Sequence, residues 1–329
     1  MGYIMVKTEA PGKIIISGEY SVLYGCPALA MAVNLLTKVS ICEEDGDCVC
    51  FDLANLNLVK TLSLESLAQL TRLIARDWTE GSKNHSSIAQ AISGPEVLVI
   101  YTLIYLVNRW NLALNHGLRI SVTSSIPIGC GMGSSAAVIL SLIYALGRYF
   151  ERTVKDEEYI SLGKDIEQLQ HGKSSGLDLF ISHYGGCYFF EDSVSRCRSL
   201  PKVPLTLVNT GRRQRFMGEY IWKIDEVLNN QDVLGDFRTV TYAVDSAMQA
   251  RNISSLKFAV KENHRLLNTL GVVSPKVNKF IDIIEARGGA AKISGAGALV
   301  GDECGIVLVV GELELEDLVS SCGYKILKI

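Results

Sequence analysis

The chain has 329 residues, 48% hydrophobic and 20% charged, with a formal net charge of −3. That balance supports a large buried core in one or two domains and excludes extended disorder. With no basic excess, nucleic acid is excluded as an expected partner, and any anionic ligand has to be held by local groups.

From the N-terminus, MGYIMVKTEAPGK shows no apolar signal region, and Val6 stands where a myristoylation site wants Ser or Thr. Residues 3–8 and 13–17 are short and β-rich, and Ala10-Pro11-Gly12 between them predicts two strands around a turn. Leu29 to Ile41 is an apolar stretch with a strand-like end. Leu62 to Trp78 and Pro95 to Asn111 carry apolar residues at helical spacing, with Pro95 suited to a first turn. The longest apolar run, Val97 to Val107, is too short to span a bilayer. Leu118 to Thr123 alternates as a strand, and a glycine loop then leads into a helix from Ser134 to about Phe150.

Beyond it, helices are expected over 156–170 and from Gly176 or Leu177 to the Gly185-Gly186 break. Strands are expected at 187–190 and 205–209, with Pro201 to Pro204 the best domain junction. Four helical patterns follow, near 217–229, 235–250, 254–270 and 275–287, and then two strands around a second glycine-rich loop near 297. Strands and helices are mixed throughout. The nine cysteines are an odd number without a CxxC pair, the pattern of reduced thiols. Together these features predict a cytoplasmic protein with no membrane partner.

The chemistry concentrates in IPIGCGMGSSAAVILSL, residues 126–142. Gly129, Gly131 and Gly133 alternate, so backbone amides can approach an anion with no Cβ in the way. The helix after them points its positive end back at the loop, and Ser134 and Ser135 offer hydroxyls in its first turn. GxGxxG fits only loosely, and GxxxxGK[ST] fails because Ser134 and Ser135 stand where Gly and Lys are required. For the loop alone, phosphate binding and a tight helix–loop packing junction both stay open.

Three further segments bear on that choice. In APGKIIISGEYSVLYG, Lys13 and Glu19 lie beside turn-like breaks, as site residues or as ordinary solvated side chains. In DIEQLQHGKSSGLD, Glu167 and Asp178 lie on either side of one chain break. One carboxylate there can bind Mg²⁺ and the other can take a hydroxyl proton, although Asp178 is also a favoured first-turn acid. KISGAGALVGDECGIVL supplies the second glycine loop, for phosphates or as a connection between strands.

PGKIIISGEY, PIGCGMGSSAA and KISGAG, in that order, resemble the three motifs of the GHMP kinase family, and the likeness runs along nearly the whole chain. Within the family, His171 to Asp178 (HGKSSGLD) resembles the HGxPSGxD hallmark of the branch that phosphorylates mevalonate. Asn263 to Ser274 resembles a later run of the same branch. The resemblance implies an α+β, two-domain fold: a ribosomal-protein-like N-terminal domain over 1–200 with the ATP and substrate sites, and a ferredoxin-like C-terminal domain over 201–329. It implies ATP and Mg²⁺, with mevalonate the acceptor and 5-phosphomevalonate the product, in a chain that acts alone or as a homodimer.

By motif position, Asp178 would be the catalytic aspartate and Lys13 its neighbouring lysine. Ser135 and Glu167 would hold Mg²⁺. Gly129, Gly131, Gly133 and Ser134 would hold ATP phosphates, with Gly295 and Gly297 from the third motif. Glu19, Tyr20 and Asp178 would face the acceptor. The sequence departs from the family pattern at Tyr20, where His is common, and at Lys173-Ser174 in place of Asn-Pro. It departs again at Ala298-Leu299-Val300 in place of glycines, and at Arg212 to Arg215 after Thr210-Gly211. The basic run suits a phosphorylated acceptor as well as a solvated face, so phosphomevalonate is the rival acceptor. A silent ligand-binding regulator is the rival from another class.

Overall fold

The computed structural model describes residues 5–79, 94–171, 174–192, 194–213 and 221–328. Two compact units emerge, one of Met1–Gly12, Leu35–Ile126 and Ser135–His183, the other of Lys13–Asn34, Pro127–Ser134 and Tyr184–Ile329. Two long strands, β1 (Met5–Ser17) and β2 (Ala28–Glu44), each contribute residues to both units.

In the first unit, β3 (Cys48–Leu53) pairs antiparallel with β4 (Leu58–Ser63) and parallel with β5 (Gly117–Ser124). The later half of β2 pairs antiparallel with β5, from Thr37 opposite Ser124 to Glu44 opposite Gly117. Along β5, Leu118, Ile120 and Val122 are buried while Arg119 and Ser121 are half-buried, the alternation of a sheet with one covered face. The unit's helices are α1 (Leu64–Thr79), α2 (Val97–Arg109), α3 (Ser134–Tyr149), α4 (Asp156–His171) and α5 (Leu177–Tyr184). Val99 to Leu106 of α2 are all buried, so this helix is apolar on every side, as a central helix must be. Its length of 13 residues confirms a core element. Among the described residues no helix is long and apolar enough to cross a membrane.

In the second unit the start of β2 pairs with β6 (Cys187–Glu191), which pairs with β7 (Val194–Arg198). A separate antiparallel sheet has the order β11 (Lys325–Leu327), β8 (Leu205–Asn209), β10 (Ile306–Val310), β9 (Ala290–Ser294). The chain runs β8, helices, β9, β10, helix, β11, the β-α-β-β-α-β pattern of a ferredoxin-like unit. The helices are α6 (Ile221–Leu228), α7 (Gln231–Gln249), α8 (Ile253–Thr269), α9 (Pro275–Ala286) and α10 (Glu316–Ser321). Ser274 caps α9 through the Val277 N–H, at 3.3 Å, with Pro275 in the first turn. Val208, Phe237, Leu267, Phe280, Ile284, Ile293, Val307 and Val309 form the core between helices and sheet. The protein is therefore α+β, as the sequence indicates.

Some expectations need correction. Ala10-Pro11-Gly12 does not turn the chain, because β1 runs unbroken from Met5 to Ser17. Among the described residues β1 pairs with β2 alone, and a proline's missing N–H is harmless on a strand's unpaired side. Pro95 lies in a turn before α2, which begins at Val97. The apolar stretch from Leu29 is one strand that continues to Glu44. The pattern near 217–229 is described from Ile221, and residues 217–220 lie outside the described residues.

Candidate active site

Lys13, Glu19, Tyr20, the glycine loop through Ser134, and Gly295 and Gly297 all belong to the second unit. Ser135, Glu167 and Asp178 belong to the first.

In the second unit the three sequence motifs converge. Lys13 is 2% exposed; its Nζ donates to the Gly131 carbonyl at 3.1 Å, and its backbone N–H donates to the Met132 carbonyl at 2.9 Å. A buried ammonium needs such partners, and here they fasten the first motif to the second. The third motif closes on the same loop. A methyl group at Gly131 would stand 3.0 Å from the Ser294 carbonyl oxygen, and one at Gly295 would stand 2.8 Å from the Gly131 carbonyl oxygen. Only glycines allow two backbones to pass this closely.

The loop carries the kind of amides that an anion would need. Among the described residues, no N–H from Gly129 to Ser135 donates to the chain. Helix α3 starts at Ser134 with no acid in its first turn, so its positive end is not neutralised locally. Unsatisfied amides at a helix start are the donors that a phosphate requires. Arg212 adds a guanidinium, since its side chain occupies the space where a Gly129 Cβ would lie, with Cγ at 2.9 Å. Cys130 sits within the loop, where burial pushes its thiol up to about 11 against the pull of Arg212 and Arg213. It stays a neutral thiol and is no nucleophile at neutral pH.

Glu19 and Tyr20 follow Lys13 along the same segment. Glu19 is 1% exposed and receives the ammonium of Lys292, which is fully buried. The Tyr20 hydroxyl donates to the Ala296 carbonyl, tying the first motif to the third loop. Burial pushes the Tyr20 phenol well above its ordinary value, with Arg213 opposing. Gly297 serves the chain's own packing: a methyl group there would lie 2.1 Å from the Val272 carbonyl oxygen. Ala298 then donates its N–H to that oxygen at 2.8 Å. Gln214 and Arg215 of the basic run lie outside the described residues.

In the first unit, Glu167 is buried on α4, and its Oε2 accepts from the Ser174 hydroxyl at 2.7 Å. Ser174 Oγ in turn accepts from the Gly176 N–H at 3.1 Å, and Ser175 Oγ accepts from the Leu177 N–H at 3.2 Å. The serine that departs from the family hallmark thus fixes the carboxylate, and its neighbour caps α5. Asp178 follows, half-buried in the first turn of α5, and Ser135 is half-buried in the first turn of α3. These are oxygen donors, the chemistry of a hard cation such as Mg²⁺. Among the described residues no three His, Cys, Asp or Glu side chains gather as a metal site. A carboxylate and a hydroxyl supplemented by substrate phosphates suit Mg²⁺, which rarely takes an all-protein cage. Gly172 and Lys173 lie outside the described residues, as does the His171 side chain.

Lys292, Ser294 and Thr241 escaped the sequence reading. Ser294 Oγ donates to the Ile15 carbonyl and accepts from the Ile15 N–H, both at 2.9 Å, while Ser17 and Thr241 share a hydroxyl pair at 2.8 Å. A lysine within AAKIS, flanked by apolar residues, was the available signal for a buried ion pair.

A family model described as the GHMP kinases N terminal domain matches residues 98–186. The mevalonate kinase of Archaeoglobus fulgidus is 30% identical over 309 residues, covering 92% of each chain. That of Methanocaldococcus jannaschii is 28% identical over 320 residues, 94% of this chain and 93% of the other. The crystal structure of the Methanococcus jannaschii mevalonate kinase aligns with a TM-score of 0.79 at 24% identity, over 99% of this chain and 97% of that one.

Proposed function

The chain belongs to the mevalonate kinases of the GHMP kinase family, and from that premise we propose that it transfers the γ-phosphoryl group of ATP to the primary hydroxyl of mevalonate. The observation that carries this reading is the row of amides from Gly129 to Ser135 without partners among the described residues, beside the Lys13 ammonium.

In this reading the amides of Gly129, Gly131, Gly133 and Ser134 bind the phosphates, and Gly295 lets the third loop approach. The Ser135 hydroxyl and Glu167 carboxylate hold Mg²⁺, with Glu167 held in place by Ser174. Bound Mg²⁺ supplies charge neutralisation to the phosphate oxygens. Glu19, Tyr20 and Asp178 face the acceptor. Asp178 takes or orients the proton of its hydroxyl, whose oxygen forms the new P–O bond as ADP leaves. Lys13 offsets the negative charge on the reacting oxygens. Phosphoryl transfer of this kind depends on position and charge more than on covalent chemistry.

One observation favours a second acceptor. Arg212 lies against Gly129 and the charge of Arg213 reaches Tyr20, an arrangement that would also suit phosphomevalonate. An assay coupling ADP release to NADH oxidation, run separately with mevalonate, phosphomevalonate, homoserine and galactose, decides. ADP release with mevalonate is expected. Release with phosphomevalonate alone establishes the second reading, and release with none of the four overturns both.

A further inference from the structure

We propose that Lys292 is a positioning residue for the acceptor, holding the Glu19 carboxylate so that its second oxygen is presented to a substrate hydroxyl. This inference rests on the functional reading above and extends it to a residue outside the motif-assigned set.

The geometry is specific. Lys292 is 0% exposed, and its Nζ donates to Glu19 Oε1 and, at 3.4 Å, to the Ile15 carbonyl. Glu19 Oε2 is buried and has no hydrogen-bond partner among the described residues. A carboxylate oxygen left in this state is costly unless a donor arrives, and an acceptor hydroxyl is such a donor. The pair is also long-range, joining positions 273 residues apart.

Strand β9 places Lys292 and Ser294 on one side of the backbone and Ala291 and Ile293 on the other. The polar side grips Ile15 and Glu19, and the apolar side enters the core with Ile284 and Phe280. The strand that ends in the second glycine loop therefore also fixes the segment from Lys13 to Glu19. Burial pulls the Lys292 ammonium below lysine's ordinary range; Glu19 opposes that pull and the nearby Lys13 adds to it. Glu19 thus favours the charged form of Lys292, against burial and the nearby Lys13. A buried pair contributes little net stability, so its presence points to a task other than holding the fold.

A double-mutant cycle tests this. Purified Lys292→Met, Glu19→Gln and the double variant are compared with the wild type by steady-state kinetics and thermal unfolding. Lys292→Met is expected to raise the KM for mevalonate about tenfold or more, the scale of a lost hydrogen bond to a charged group, while the KM for ATP moves less than about twofold. Once Glu19 is Gln, removing Lys292 should add no further loss, so kcat/KM of the double should match Glu19→Gln within about twofold. Independent losses that multiply in the double, or the two KM values rising together, would overturn the proposal and leave Lys292 a structural residue. Should Lys292→Met not fold, Lys292→Gln keeps a donor without the charge and completes the same cycle. A wild type inert towards mevalonate would overturn the acceptor reading instead, and the cycle then runs on whichever acceptor is turned over.

Discussion

In the loop from Pro127 to Ser134 the glycines fall at every second position, all with positive φ, at 73°, 84° and 69°. In the loop after Ser294, Gly295 and Gly297 also have positive φ, at 93° and 56°, but the next residue, Ala298, already gives its N–H to Val272. The neighbours differ as well. Gly129 faces the movable Arg212 side chain, while Gly297 faces the Val272 backbone, which has no rotamer to change. A glycine run therefore reports only that the backbone comes close to something. Whether that something is a ligand or the chain itself is told by the partners of the neighbouring amides.

Substitutions at these glycines can break that contrast. The largest effect on folding is expected at Gly297→Ala, where a left-handed φ and a contact of 2.1 Å to a backbone oxygen act together. It should destabilise the protein by about 3 kcal/mol in thermal or urea unfolding, with the ATP KM of the folded fraction little changed. Gly131→Ala meets a milder contact, 3.0 Å, at a φ of 84°. It should cost roughly 2 kcal/mol of stability and, unlike Gly297→Ala, weaken ATP about tenfold in a direct binding titration. Equal ATP losses in the two variants would erase the distinction between a ligand loop and a packing loop.

How much of this was legible follows from the range of each signal. The glycine loop, Lys13 and the pair Glu167 and Asp178 lie in short patterns whose chemistry can be read locally. The order of helices after Ser134 could be read too, because apolar spacing and glycine breaks are local. The partnership of Lys292 with Glu19 was not, since the apolar flanks of Lys292 signal burial but its partner lies 273 residues away. The Pro11-Gly12 pair misled because whether a proline breaks a strand depends on which edge is paired. Strand β4 was missed since Val59, Lys60 and Thr61 are exposed and carry no apolar alternation.

The packing side of the contrast has its own pH signature. His264 lies on α8, which packs against the strand leading into the third loop. Burial lowers its pKa from 6.5 to about 4. The unfolded chain therefore takes up this proton first, and stability falls as pH drops from about 6.5 towards 4, by about 3 kcal/mol at most. Above that window His264 contributes no pH dependence. Urea unfolding at pH 7 and pH 5 should show the loss, and His264→Gln should flatten it.

The central claim is that a cation from far earlier in the chain, Lys13, does the work of the lysine absent from the glycine loop. Lys13→Met tests it most directly, since it keeps an unbranched side chain of similar size while removing the charge and its hydrogen bond to Gly131. We expect kcat to fall by about 10²–10³ while calorimetry finds ATP bound within about threefold of the wild-type affinity. Turnover within about threefold of wild type, in a variant that folds normally, would contradict the account.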